Sequence, residues 1–389
     1  MSDERKTPFP IGIFLTYVLF YAGQAIYNVY INLYLDATGF TKPMIGFLTS
    51  ATTVALLAVQ PLWGIVSDKS KSKNRIIAFL MFCCAVTGVM FYCSSAIGWV
   101  LVCYLLFSLF FNPSIPLQDD YTLQRLDGTG WDFGQMRLGG TLGYAACAAV
   151  IGFFVKDNYK RIFLMITAVF AFSAFIYLRM PALSGYREKR QKVRYTEVLK
   201  DKRLVYMCLI NIVFTMGTTF FHQYYSIYFK NELGASEGII GLMSTFGALA
   251  EFPFFWYAGR LQKRFGTKAL MVFAGFSTAA RWLLIAGNTD PIASLFINML
   301  SGCGFVGFHY SLVRYINDNV PKEMRSTAQS MNSILATFVA RILFAPISGL
   351  LTEHFSMMSL LLFNGILMGA ATVVFMILFK EDPEVPEIQ

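Results

Sequence analysis

The chain has 389 residues, of which 56% are hydrophobic and only 14% charged, and its mean hydropathy is +0.53. A soluble domain carries roughly 45–50% apolar and about 25% charged residues, so the apolar surplus requires lipid as its solvent. The formal charge of +9 comes from Lys and Arg gathered between apolar runs, without the soluble, aromatic-interleaved basic domain that a nucleic-acid partner would need.

Windows of about 20 residues, enough to cross ~30 Å of hydrocarbon, pick out about twelve spans: 11–35, 44–66, 75–95, 98–122, 133–155, 161–179, 204–229, 238–258, 268–287, 291–315, 326–350 and 357–379. The fold class expected is therefore an all-α integral membrane protein. The first apolar run is too long for the h-region of a cleavable signal, and no small-residue cleavage pattern follows it. Within it Gln24, Asn28 and Asn32 recur every four residues and share one helical face, with Tyr17, Tyr21 and Tyr27 nearby. Such a stripe lines a watery cavity or bonds neighbouring helices; for Gln24 and Asn28 the cavity is expected.

The second span runs into a basic loop, in which Gly64, Asp68 and Lys69 are followed by Lys71, Lys73 and Arg75. Asp119 and Asp120 close the fourth span and Arg137 opens the fifth, across a short loop. Antiparallel helices joined in this way bring a carboxylate and a guanidinium to one cavity, where a planar donor fork and an acceptor bind hydroxyls or, through the arginine alone, a substrate carboxylate. The alternative is that Asp119 and Asp120, late in their helix, and Arg137, near the start of the next, are merely interfacial. Pro113 and Pro116 favour a kink in the fourth span. Gly139 and Gly143 form a small-xxx-small pair suited to close helix packing.

The longest hydrophilic stretch, 180–203, holds Arg187, Lys189, Arg190, Lys192, Arg194, Lys200, Lys202 and Arg203. It reads as a basic linker between two six-span halves, 1–179 and 204–389. Beyond it, Asn211, His222, Gln223 and Tyr224 decorate the seventh span; Glu251 lies deep in the eighth, Arg281 in the ninth, His309 in the tenth and Arg341 in the eleventh. An ionisable group at membrane depth costs at least ~2.5–3.5 kcal/mol, so a chain that keeps several is using them for a substrate or proton path. Desolvation disfavours the charged form of a buried carboxyl, as a proton carrier at Glu251 requires, and the imidazole of His309 is of the type that titrates near neutrality. Arg341 calls for a partner, Glu251 or a bound anion. Lys and Arg concentrate in alternate loops, including Arg5, Lys6, Arg260, Lys263, Arg264, Lys268, Arg314, Lys322 and Arg325, which assigns both termini to the cytoplasm.

The seven cysteines all fall within spans and read as packing residues, with no zinc or disulfide spacing. No nucleotide-binding loop is present and no cofactor, metal or catalytic residue is expected. The halves show faint self-similarity, of the kind found in transporters built from repeats.

The run Gly64-x-x-x-Asp68-Lys69 with Lys71, Lys73 and Arg75 resembles the cytoplasmic gating loop of the major facilitator superfamily, and residues 60–69 are similar to the lactose permease group of proton symporters. Residues 116–119 and 133–143 resemble the fourth and fifth helices of lactose and phenylpropionate permease relatives, while 307–309 and 321–329 resemble the phenylpropionate branch. The resemblance implies two pseudo-symmetric six-helix bundles that rock about a midplane site, and a proton-coupled symporter of an aromatic or other organic acid, a sugar or a nucleoside. It implies substrate contact by Asp119 and Arg137, a coupling role for Arg281, and gating by Gly64, Asp68, Lys69 and Arg75. With Gln24, Asn28 and Arg341 added to substrate binding, and Glu251 and His309 to proton coupling, the expected partners are a small solute, protons and the lipid of an inner (plasma) membrane, the chain acting as a monomer. Cys303 and Val306 stand where lactose permease carries its coupling histidine and glutamate, which argues against a galactoside. A proton/drug antiporter is the first alternative, although the fifth span lacks its Gly-Pro signature; a membrane enzyme or a non-transporting receptor follows.

Overall fold

In lipid a spanning segment satisfies its own backbone only as a helix or a closed barrel. The computed structural model, which describes residues 8–156, 158–184, 200–321 and 324–380, is helical, with no strand among the described residues. In chain order the helices are α1 (Ile11–Ala37), α2 (Lys42–Lys69), α3 (Lys73–Cys93), α4 (Ile97–Leu126), α5 (Phe133–Val155), α6 (Arg161–Arg179), α7 (Lys202–Asn231), α8 (Glu237–Ala286), α9 (Pro291–Asn298), α10 (Leu300–Asn319), α11 (Arg325–Thr337), a π-helical segment Phe338–Phe344, α12 (Ala345–His354) and α13 (Met357–Leu378). Residues 185–199 of the expected linker, with Arg5, Lys6, Lys322 and Glu323, lie outside the described residues.

Eleven helical runs among the described residues are long and apolar enough to cross a membrane. One of them, α8, has 50 residues, about 75 Å at 1.5 Å per residue, far more than one crossing needs. It folds back at Gly266, whose φ of 81° and ψ of 168° interrupt the helix in a conformation that favours glycine. The two arms are the eighth and ninth spans, so the chain makes the twelve passes expected.

The chain forms two compact units, Met1–Arg190 with Tyr224–Thr245, and Gln191–Gln223 with Phe246–Gln389. In the first, α1 packs on α5 and α6, α3 on α6 and α4, and α2 on α4. Aromatic rings fill the interior: Phe20 stacks on Phe111 at 5.0 Å, Tyr27 on Phe107 at 4.5 Å and Phe91 on Phe163 at 4.3 Å. The expected close packing at Gly139 and Gly143 is present, since a Cβ on Gly143 would stand 2.2 Å from the carbonyl oxygen of Val18. This approach of α5 to α1 positions the polar groups of the first unit.

The segment Tyr224–Thr245 is tied to the same unit by a row of hydrogen bonds. Tyr224 donates to the Lys42 carbonyl at 3.0 Å, Asn231 to Asp36 at 2.9 Å and Thr245 to the Ala145 carbonyl at 3.1 Å. Glu237, buried at 6% exposure, accepts from Lys230 at 2.6 Å and Tyr159 at 3.0 Å, while its carbonyl accepts from Tyr30 at 3.0 Å.

Candidate substrate and coupling site

Because α5 lies so close to α1, Arg137 projects over the tyrosines about two and three turns into α1: its guanidinium carbon is 4.4 Å from the Tyr21 ring centroid and 5.9 Å from that of Tyr17. Asp119 comes from late in α4 and accepts from the Tyr17 hydroxyl at 2.7 Å. The nearest Arg137 nitrogen, Nη1, is 3.9 Å from Asp119, an ion pair beyond hydrogen-bond length. Nη1 is itself buried without a hydrogen-bond partner. The carboxylate and guanidinium are thus brought together as the chain order implies, with donor capacity unused. Gln24 and Asn28 continue the α1 stripe beyond Tyr17 and Tyr21, Gln24 half-buried and Asn28 exposed at mid-helix, while Asn32 is buried. The phenols and two amides of α1, with the Asp119 carboxylate of α4 and the stacked Arg137 guanidinium of α5, offer hydrogen bonds to a polar solute.

In the second unit, α8 and α10 touch at Gly302, where a Cβ would stand 2.4 Å from the Ala250 carbonyl and 2.9 Å from the Glu251 nitrogen. Glu251 and Arg281, on the two arms of α8, lie within electrostatic reach of each other. Arg281 is 4% exposed; its guanidinium carbon sits 4.2 Å above the Phe221 ring and its Nε has no hydrogen-bond partner. For Glu251, expected with a bound anion as a candidate partner of Arg341, the cation within electrostatic reach is Arg281, on the other arm of α8. Arg341 and Arg281 both lie within electrostatic reach of His222 of α7. It is exposed and occupies the middle of the π-helical turn, the kind of helix irregularity found at functional positions. His309 is exposed and lies flat on Phe305, ring centroids 5.7 Å apart, without an ion pair or hydrogen bond to Glu251 among the described residues.

In the expected gating loop, a Cβ on Gly64 would meet open space, Asp68 is half-buried, and Lys69 and Arg75 are exposed. The tightest interaction there involves a residue not singled out: Lys73, 1% exposed, forms an ion pair with Asp120, which also accepts from Gln124 at 2.8 Å. Asp120 is therefore a partner of the loop and not simply an interfacial charge. Next to it, the Lys73 amide donates to the Leu183 carbonyl at 2.8 Å and Asn74 donates to the carbonyls of Tyr177 and Met180 at 3.1 and 3.0 Å. Sequence reasoning missed Lys73–Asp120, the Glu237 cluster and the Phe221 face of Arg281. Only the first left a signal, one lysine of the loop at the start of a predicted span.

A family model described as the MFS_1 like family matches residues 11–363. The maltose permease of Geobacillus stearothermophilus is 26% identical over 386 residues, covering 98% of this chain and 96% of that protein. The probable 3-phenylpropionic acid transporter of Escherichia coli K12 is 24% identical over 312 residues, covering 78% and 80%. Among solved structures, that of the nucleoside transporter NupG aligns with a TM-score of 0.83 at 18% identity, covering 97% of this chain and 100% of that one, a likeness of fold.

Proposed function

Because the chain belongs to the MFS_1 like family, and is thus a multi-pass membrane transporter and not an enzyme, we propose that it takes up a small polar organic solute together with protons by alternating access. The observation that carries the reading is the Asp119–Tyr17–Arg137 cluster, with an unpartnered guanidinium nitrogen beside an unbroken α1 stripe of Tyr21, Gln24 and Asn28. Acceptor, fork and amides together suit a solute rich in hydroxyls, of the sugar or nucleoside kind, and the names borne by the relatives support that class. Asp119, Arg137, Gln24, Asn28 and Arg341 bind the solute in this reading.

Coupling is assigned to Glu251 with Arg281, since a carboxyl and a buried guanidinium within reach of each other can exchange a proton for an ion pair. His309 is the second titratable group of the path. Gly64, Asp68, Lys69 and Arg75 act in the cytoplasmic gate, residues 180–203 link a bundle of 1–179 to one of 204–389, and the chain functions as a monomer in an inner membrane with both termini cytoplasmic.

A second reading, an aromatic or other organic acid as solute, is favoured by the orphan Nε of Arg281 and the exposed guanidinium of Arg341. Both readings are tested in proteoliposomes with an imposed inward proton gradient and a panel of sugars, nucleosides and aromatic acids. Accumulation of a solute that stops on adding a protonophore supports symport. Accumulation that survives collapse of both pH gradient and voltage removes it, and solute loss driven by the same gradient would identify an antiporter.

A further inference from the structure

At the basic end of the second unit, away from the groups assigned to transport, the ends of α7, α10 and the fold of α8 enclose a cleft of roughly 810 Å³. Its volume lies within the ~300–1,000 Å³ typical of ligand sites. Arg203, Lys263, Arg264 and Arg314 line it, and among the described residues its lining has one carboxylate, Asp318, which is bonded to Arg314 at 2.8 Å. Asp201 accepts from the Tyr315 hydroxyl and from the backbone amides of Arg203 and Leu204, and Arg203 is tied into the same group through Tyr315. Lys263 and Arg264 are left as two exposed cationic groups on the cleft.

The cleft also contains an unfilled polar position. Gln262 bonds Thr267 at 2.9 Å through one end of its amide, while the other end is buried without a partner. Exchanging the amide oxygen and nitrogen leaves one end unused in either orientation. Tyr310 and Phe379 supply aromatic walls and Phe265 stands at the rim, 55% exposed. Guanidinium groups bind phosphate oxygens through parallel hydrogen bonds, and basic pockets among membrane helices at this face bind anionic headgroups. A buried amide adds a partner for a headgroup hydroxyl, and an exposed phenylalanine at the rim adjoins acyl chains.

We propose that this cleft binds the headgroup of an anionic phospholipid, its phosphate on Lys263 and Arg264 and a hydroxyl of the headgroup on Gln262. The lipid is the source favoured over a soluble phosphate because the cleft opens at the ends of membrane spans beside an exposed aromatic side chain.

The test is native mass spectrometry of the purified full-length protein titrated with phosphatidylglycerol, phosphatidylcholine or inorganic phosphate. Phosphatidylglycerol should bind at about tenfold lower concentration than phosphatidylcholine, and Lys263→Gln with Arg264→Gln should remove that preference. Both side chains are exposed, as are Lys71 and Arg125, whose joint replacement by Gln removes the same charge from the first unit and should leave the preference intact. Equal loss in both double variants would reduce the effect to diffuse surface charge and overturn the site. So would absence of any lipid preference, or inorganic phosphate that binds without being displaced by phosphatidylglycerol. Phosphatidylglycerol binding seen only in a chain ending at Lys380 would overturn it too, making the acidic sequence from Glu381 onward the occupant.

Discussion

Tyr17 holds Asp119 more closely than Arg137 does: the phenol donates to the carboxylate at 2.7 Å, while the guanidinium stands at 3.9 Å. The tyrosine is fully buried and its ring also borders the guanidinium. The acceptor of the first unit is therefore fixed from α1, leaving the fork of Arg137 available to a solute.

Tyr17→Phe keeps the ring and removes the donor. A hydrogen bond to a charged group is worth about 1.5–3 kcal/mol, so solute affinity should fall roughly ten- to hundredfold as Asp119 moves toward Arg137. Folded yield should be unchanged. Titration of the purified variant with the transported solute checks this, and wild-type affinity would leave the phenol a packing role only.

Arg137→Lys should also weaken binding by roughly ten- to hundredfold, because an ammonium supplies neither the planar fork nor the stacked face now 4.4 Å over Tyr21. An exposed arginine without an assigned role, Arg125, gives the comparison. Equal losses at Arg125→Lys and Arg137→Lys would return Arg137 to the membrane interface.

Glu251→Gln should separate exchange from uphill transport: the amide imitates a protonated carboxyl, so counterflow persists while proton-driven accumulation is lost. If Glu251 serves only to neutralise Arg281, yield and binding fall together, since an uncompensated buried cation is left behind. Combining Glu251→Gln with Arg281→Gln distinguishes the cases, because the double change restores yield only in the second. Normal uphill uptake by Glu251→Gln would exclude it as carrier.

Gly241→Leu should pry the Tyr224–Thr245 segment from the first unit, since a Cβ there would stand 2.2 Å from the Ala148 carbonyl. Overpacking of this kind costs about 1–3 kcal/mol, enough to shift a two-state balance by roughly five- to over a hundredfold. Spin labels at the exposed positions Ala37 and Glu232, beside the Asp36–Asn231 bond, should move apart. An unchanged distance distribution with unchanged transport would show that this seam need not open.

The spans were legible because a crossing demands about twenty apolar residues whatever the fold, and the glycine pair of α5 because close approach admits no larger residue. Asp119 and Arg137 could be paired because one short loop joins their helices. Partners fixed by helix rotation and distant packing could not be read: Tyr17 reaches Asp119 across 102 positions, and the approach of Arg281 to Glu251 depends on how two arms of α8 fold about one glycine. Lys73 was counted among loop charges, although it is buried and paired with Asp120.

The π-helical turn Phe338–Phe344 gives the eleventh span an unusual tolerance. Such a turn accommodates one surplus residue within an otherwise α-helical ladder. Deleting a residue from a spanning helix ordinarily rotates everything beyond the cut by about 100° and turns its apolar side away from its neighbours. Here, loss of Val339 would let the ladder close into regular α-helix, with Arg325–Thr337 and Ala345–His354 keeping their facing. Arg341 would change its bearing on the helix surface. The same span can thus shorten by one residue with its packing intact, and the guanidinium is the group whose address that edit rewrites.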